Sequence, residues 1–84
     1  MTYSVRIKAS AAKVLAKVAA SEQRRLIDAI DALKTNPATG SLLKGEHTGL
    51  RRLRVGDYRI VFEVQQAELI VLVIRVGHRR EVYR

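Results

Sequence analysis

At 84 residues the chain has room for one domain, taken as spanning residues 1–84, and an apolar content of 48% places it among folded globular proteins and not disordered ones. Sixteen Lys and Arg against eight Asp and Glu leave a formal charge of +8, which points to a polyanion or an acidic protein as partner. The absence of cysteine excludes disulfides and thiolate metal sites and fits a reducing compartment.

The N-terminal stretch MTYSVRIK alternates in polarity where a secretory signal would be continuously apolar. Tyr3, Val5 and Ile7 fall on one face and Ser4, Arg6 and Lys8 on the other, so residues 2–8 read as a half-buried strand. Ser10 is placed to cap a helix whose stripe is Val14, Leu15 and Val18. Ser21 is placed to cap a second, with Leu26, Ile27, Ile30 and Leu33 on its apolar side until Asn36-Pro37 ends it. The segment TNPATGSLLKGEHTG, residues 35–49, reads as a loop pinned by Leu42 and Leu43. Residues 50–55 alternate again, Gly56-Asp57 supplies a tight turn, and Tyr58, Ile60, Phe62 and Val64 share one face of the next strand. After a turn at 65–67, residues 68–76 are apolar on both faces, as a central strand is. The longest apolar run, LIVLVI at 69–74, is too short to cross a bilayer, so the chain reads as cytoplasmic with no membrane partner. The order is β-α-α-β-β-β, an α+β fold with two helices packed on a mainly antiparallel four-stranded sheet.

Catalytic templates are absent: there is no HExxH or other metal spacing, no GxSxG and no phosphate-binding glycine loop, so neither a metal nor a cofactor is expected. The distribution of cations is more informative. Beyond Lys44 every Lys or Arg position is arginine, and arginine offers a planar fork that matches phosphate oxygens two at a time. Arg52 and Arg54, two apart on a strand, share a face, and the turn returns Arg59 beside them. The last strand runs out through Val76-Gly77 toward His78, Arg79 and Arg80, with Tyr83 close behind. By pattern alone this is either an anion site or a set of solvated arginines on an outer sheet face with a frayed tail. Tyr3 and Tyr58 read as core residues and His47 as an exposed loop residue, whereas His78 reads either as a solvent-exposed hydrogen bonder or as a candidate for proton transfer.

The stretch LRRLRVGDYRIVFEV followed by LIVLVIRVGHRREVYR resembles the C-terminal half of the RelE family of toxins, within the RelE/ParE superfamily, and the element order extends the resemblance over the whole chain. The resemblance implies a toxin that enters the ribosomal A site and cleaves messenger RNA without metal. A RelB-like antitoxin would hold it inactive in a toxin–antitoxin hetero-oligomer. Arg52 and Arg54 take the places of the family's two strand lysines, Arg59 its arginine after the tyrosine, Arg79 its tail arginine and Tyr83 its tail tyrosine. Arg51, Arg80, Arg84 and Lys44 are expected to contact RNA or the ribosome. In family terms the 2′-hydroxyl attacks the adjacent phosphate and leaves a 2′,3′-cyclic phosphate. Arg52 departs from the pattern, because a guanidinium does not deprotonate in proteins and cannot be the base that a lysine might supply. Two other readings fit the scaffold: a ParE-like gyrase inhibitor and a catalytically weak RNA-binding domain.

Overall fold

The computed structural model describes residues 2–42 and 50–78, with Leu42 described by its backbone only. Its elements are β1 (Ser4–Ile7), α1 (Ala9–Ala16), α2 (Ala20–Ala32), β2 (Ser41–Leu42), β3 (Leu50–Val55), β4 (Tyr58–Gln65) and β5 (Ile70–His78). The strands form one sheet in the order β1-β5-β4-β3-β2, with β1 parallel to β5 and every other pairing antiparallel. This is the α+β architecture expected from the sequence, extended at one edge by the two-residue β2, which lies inside the segment read as loop.

The core lies between one sheet face and the helices. Ala11 and Leu15 from α1, with Leu26, Ile30 and Leu33 from α2 and its end, meet Ile60, Phe62, Val71, Val73 and Val76 from β4 and β5. Spacings of four and three residues keep those helical side chains on one stripe. That stripe is narrower than the sequence suggested. Val14 and Ile27 flank it and are 39% and 45% exposed, and Ala11 takes the inward position instead. Tyr3 and Tyr58 are half-buried and pack against the core from its margin.

Both helices begin before the serines expected to cap them. Lys8 still donates its N–H to the Val73 carbonyl of the sheet, while its own carbonyl already accepts from Ala12, so the chain passes from strand to helix in a single residue. Ser10 therefore sits inside the first turn, and Lys8 is the N-cap residue. In α2 the N-cap is Ala19, whose carbonyl accepts from the Gln23 N–H. Gln23 Nε2 reaches back 3.0 Å to the Leu15 carbonyl, satisfying an end group of α1 from α2, and Ser21 lies within the helix.

The β4–β5 turn runs through Leu69, two residues further than the sequence suggested. Leu69 adopts φ 55°, and its carbonyl accepts the Ser4 N–H at 2.8 Å, so the turn also fixes the start of β1. Further along, Val61 pairs with Arg75 but Phe62 pairs with Val73, leaving Ile74 as the extra residue of a β-bulge. The bulge resets the alternation of β5, which is how Val73 and Val76, three apart, are both buried.

Candidate functional site

Leu53 and Val55 of β3 pack toward the core, and strand alternation turns Arg52 and Arg54 to the face opposite α1 and α2. Arg54 pairs directly with Arg59 across the β3–β4 hairpin, and Ser41 of β2 pairs directly with Arg52. Directly opposed residues share a sheet face, so Ser41, Arg52, Arg54 and Arg59 present side chains to the same side. With neighbouring strands about 4.8 Å apart, four polar side chains are gathered over three adjacent strands. They line an open concavity of about 350 Å³ together with Gly40 and Leu53. Arg54 is exposed at its rim, whereas Arg59 is half-buried with its Nη1 shielded from solvent.

Gly40 closes one side of this concavity and has φ +82°. A Cβ there would collide with the backbone carbonyl oxygen of Arg52. Glycine thus permits the chain after α2 to lie directly on β3, and that approach carries Ser41 to its place beside Arg52.

Other residues singled out in the sequence lie elsewhere. Arg51 alternates to the helix side of β3, where its Nη1 donates to the Ala38 carbonyl at 3.0 Å and ties the α2–β2 connection to the sheet. His78 pairs with Tyr58, and their rings meet edge to face with centroids 5.6 Å apart and planes at 80°. Since Tyr58 packs against the core, His78 is on the helix side too, and its neighbour Gly77 is the residue opposite Arg59. The bulge at Ile74 produces this phase. Without it, β5 would present position 78 to the arginine face. Lys44, His47, Arg79, Arg80, Tyr83 and Arg84 lie outside the described residues.

Four contributors to this region are not marked by any local pattern in the sequence. Gly40 and Ser41 lie in a segment whose composition reads as loop, and only the pairing of β2 with β3 places them at the site. Arg75, opposite Val61 on β5, adds a further exposed cation. Arg25 of α2 sets its guanidinium against the hairpin turn, within 3.2 Å of where a Cβ on Gly56 would stand. No local pattern around Arg25 marks it, because the contact joins residues about thirty positions apart.

The sequence profile of a family described as ParE toxin of type II toxin-antitoxin system, parDE, matches residues 5–83. The chain belongs to that family, within the RelE/ParE superfamily. The toxin is 29% identical over 86 residues to Toxin RelG of Mycobacterium tuberculosis, an alignment covering 100% of this chain and 99% of that protein. Among solved structures, it superposes with a TM-score of 0.85 and 25% identity on a chain of the toxin–antitoxin complex RelBE2 from Mycobacterium tuberculosis, covering 96% of this chain and 95% of that one. It also superposes with a TM-score of 0.81 and 29% identity on a chain of the archaeal RelE–RelB complex from Pyrococcus horikoshii, covering 96% and 99% respectively. The toxin is therefore a type II toxin of the superfamily that its two C-terminal stretches resemble. Among its described residues no helix is long and apolar enough to cross a membrane.

Proposed function

We propose that the toxin is an endoribonuclease that cleaves messenger RNA in the ribosomal A site, and that a RelB-like antitoxin holds it inactive. The observation that carries this reading is the gathering of Arg52, Arg54 and Arg59 in one concavity on the sheet face opposite the helices. Three guanidinium groups aimed at one small volume suit a phosphodiester whose equatorial oxygens gain charge during displacement. In the reaction the substrate's 2′-oxygen bonds to phosphorus as the phosphorus–O5′ bond breaks. One proton leaves the 2′-hydroxyl and one reaches the departing O5′. None of the three arginines is suited to accept that proton. Their part is to hold the phosphate in line and offset its charge, which gives positioning and electrostatics the larger share of the work. From the family resemblance we assign a fourth cation to Arg79 and a base-stacking or hydroxyl-orienting ring to Tyr83.

The relatives' complexes with RelB support an antitoxin partner, and a net charge of +8 suits an acidic chain that covers the arginine face. The deciding experiment incubates the toxin with programmed ribosomes and maps the new RNA ends. Cuts within A-site codons ending in 2′,3′-cyclic phosphate support the reading, and intact message under conditions where the toxin binds ribosomes refutes it. The ParE description of the matching family favours a second reading, inhibition of DNA gyrase. Trapped gyrase–DNA complexes on expression, with message left whole, would establish that reading instead.

A further inference from the structure

We propose that Ser41 reads the ribose of the substrate, accepting a hydrogen bond from the 2′-hydroxyl beside the phosphate held at Arg52, and that Gly40 is the residue that positions it. This deepens the ribonuclease reading and rests on it. The three arginines of the concavity are donors only, and phosphate oxygens satisfy them. A 2′-hydroxyl both donates and accepts, and the three guanidinium groups offer its proton no acceptor. Among the described residues lining the concavity, Ser41 supplies the one side-chain oxygen. Its cross-strand pairing with Arg52 puts that hydroxyl on the arginine face, and the residue is exposed, so its oxygen is open to a ligand.

The local backbone is built to put it there. β2 is only two residues long, and the preceding Gly40 touches β3 so closely that any side chain would strike the Arg52 carbonyl oxygen. A two-residue strand contributes little burial, but it sets one hydroxyl in register with one arginine. Because the 2′-hydroxyl distinguishes RNA from DNA, loss of this contact should show first as lost discrimination between the two.

The test compares wild type, Ser41→Ala and Ser41→Thr for binding to single-stranded RNA and DNA oligonucleotides of one sequence, with the RNA checked for integrity. Wild type and Ser41→Thr are expected to favour RNA by roughly three- to tenfold, the size of one net hydrogen bond. Ser41→Ala should bring the ratio to within about twofold while DNA affinity stays unchanged. An RNA preference that survives in Ser41→Ala, or is absent from wild type, overturns the proposal. Cleavage of ribosome-bound message is followed in parallel. If wild type does not cleave, the ribonuclease reading fails separately, and the RNA-to-DNA ratio still decides the role of Ser41. If wild type cleaves and the preference depends on Ser41, both stand.

Discussion

Arg54 and Arg59 are direct cross-strand partners on the face of the β3–β4 hairpin opposite the helices. Like charges so placed oppose folding by a few tenths to about 1 kcal/mol, a cost that an anion seated between them removes. Arg54→Gln is therefore expected to raise stability toward urea by roughly 0.2–1 kcal/mol at low salt, with the gain fading as added salt screens the repulsion. The same variant should slow cleavage of ribosome-bound message on the order of a hundredfold, as loss of a charge-stabilising donor does elsewhere. A variant that loses stability as well as activity would make the pair a structural contact instead.

RNA binding at this site should depend on salt in a countable way. Each phosphate neutralised on a single strand contributes about −0.7 to the slope of log affinity against log salt. Replacing Arg52, Arg54 and Arg59 together by Gln is expected to flatten that slope by about two. Arg51→Gln should leave the slope unchanged, since its guanidinium is on the other face and bonded to Ala38. Its effect should be on stability, a loss of about 1 kcal/mol from one net hydrogen bond. Equal flattening by the two variants, after allowing for the number of charges removed, would contradict the separation of faces.

The fold and half of the site were legible in the sequence for one reason, which is that strand alternation is strict where polar and apolar residues alternate. LRRLRV and YRIVFEV carry their own phase, so the side taken by Arg52, Arg54 and Arg59 could be read directly. LIVLVIRVGH carries none. An apolar run satisfies both faces of a central strand, so nothing in it marks the extra residue at Ile74 that turns His78 toward the helices. The serines do not cap because the Lys8 and Ala19 carbonyls begin the helical hydrogen bonds themselves, leaving Ser10 and Ser21 two residues too late. Ser41 was missed because a two-residue strand has no period to detect.

His78 offers a test of that phase. Its ring abuts Tyr58 edge to face on the helix side, so packing is part of its contribution. His78→Phe is expected to keep the edge-to-face contact and to cleave message with a pH–rate profile of unchanged shape. His78→Ala should lose about 0.5–1.5 kcal/mol, the value of an aromatic pair, measured by urea denaturation. A profile that loses one limb in His78→Phe would instead assign the ring a proton-transfer role.

Gly40 and Gly56 both have positive φ, at +82° and +59°, yet they should respond differently to alanine. At Gly56 the nearest atom to a new Cβ is Arg25 Nη1 at 3.2 Å, the free-swinging end of a long side chain that can move aside. Gly56→Ala should therefore cost only the left-handed backbone penalty of roughly 1–2 kcal/mol, a fall in melting temperature of about 4–16 °C for a chain of this size, with cleavage by the folded fraction intact. At Gly40 the obstacle is the backbone of β3, which is held in the sheet and cannot yield, so β2 must move away. Detachment of two residues bounds the loss of global stability but removes Ser41 from Arg52. Gly40→Ala is thus expected to cost no more stability than Gly56→Ala while lowering the preference for RNA over DNA to the level of Ser41→Ala. Melting curves and paired oligonucleotide titrations measure both quantities, and a Gly40→Ala protein that keeps wild-type RNA preference would show that the approach of β2 to β3 has no part in recognition.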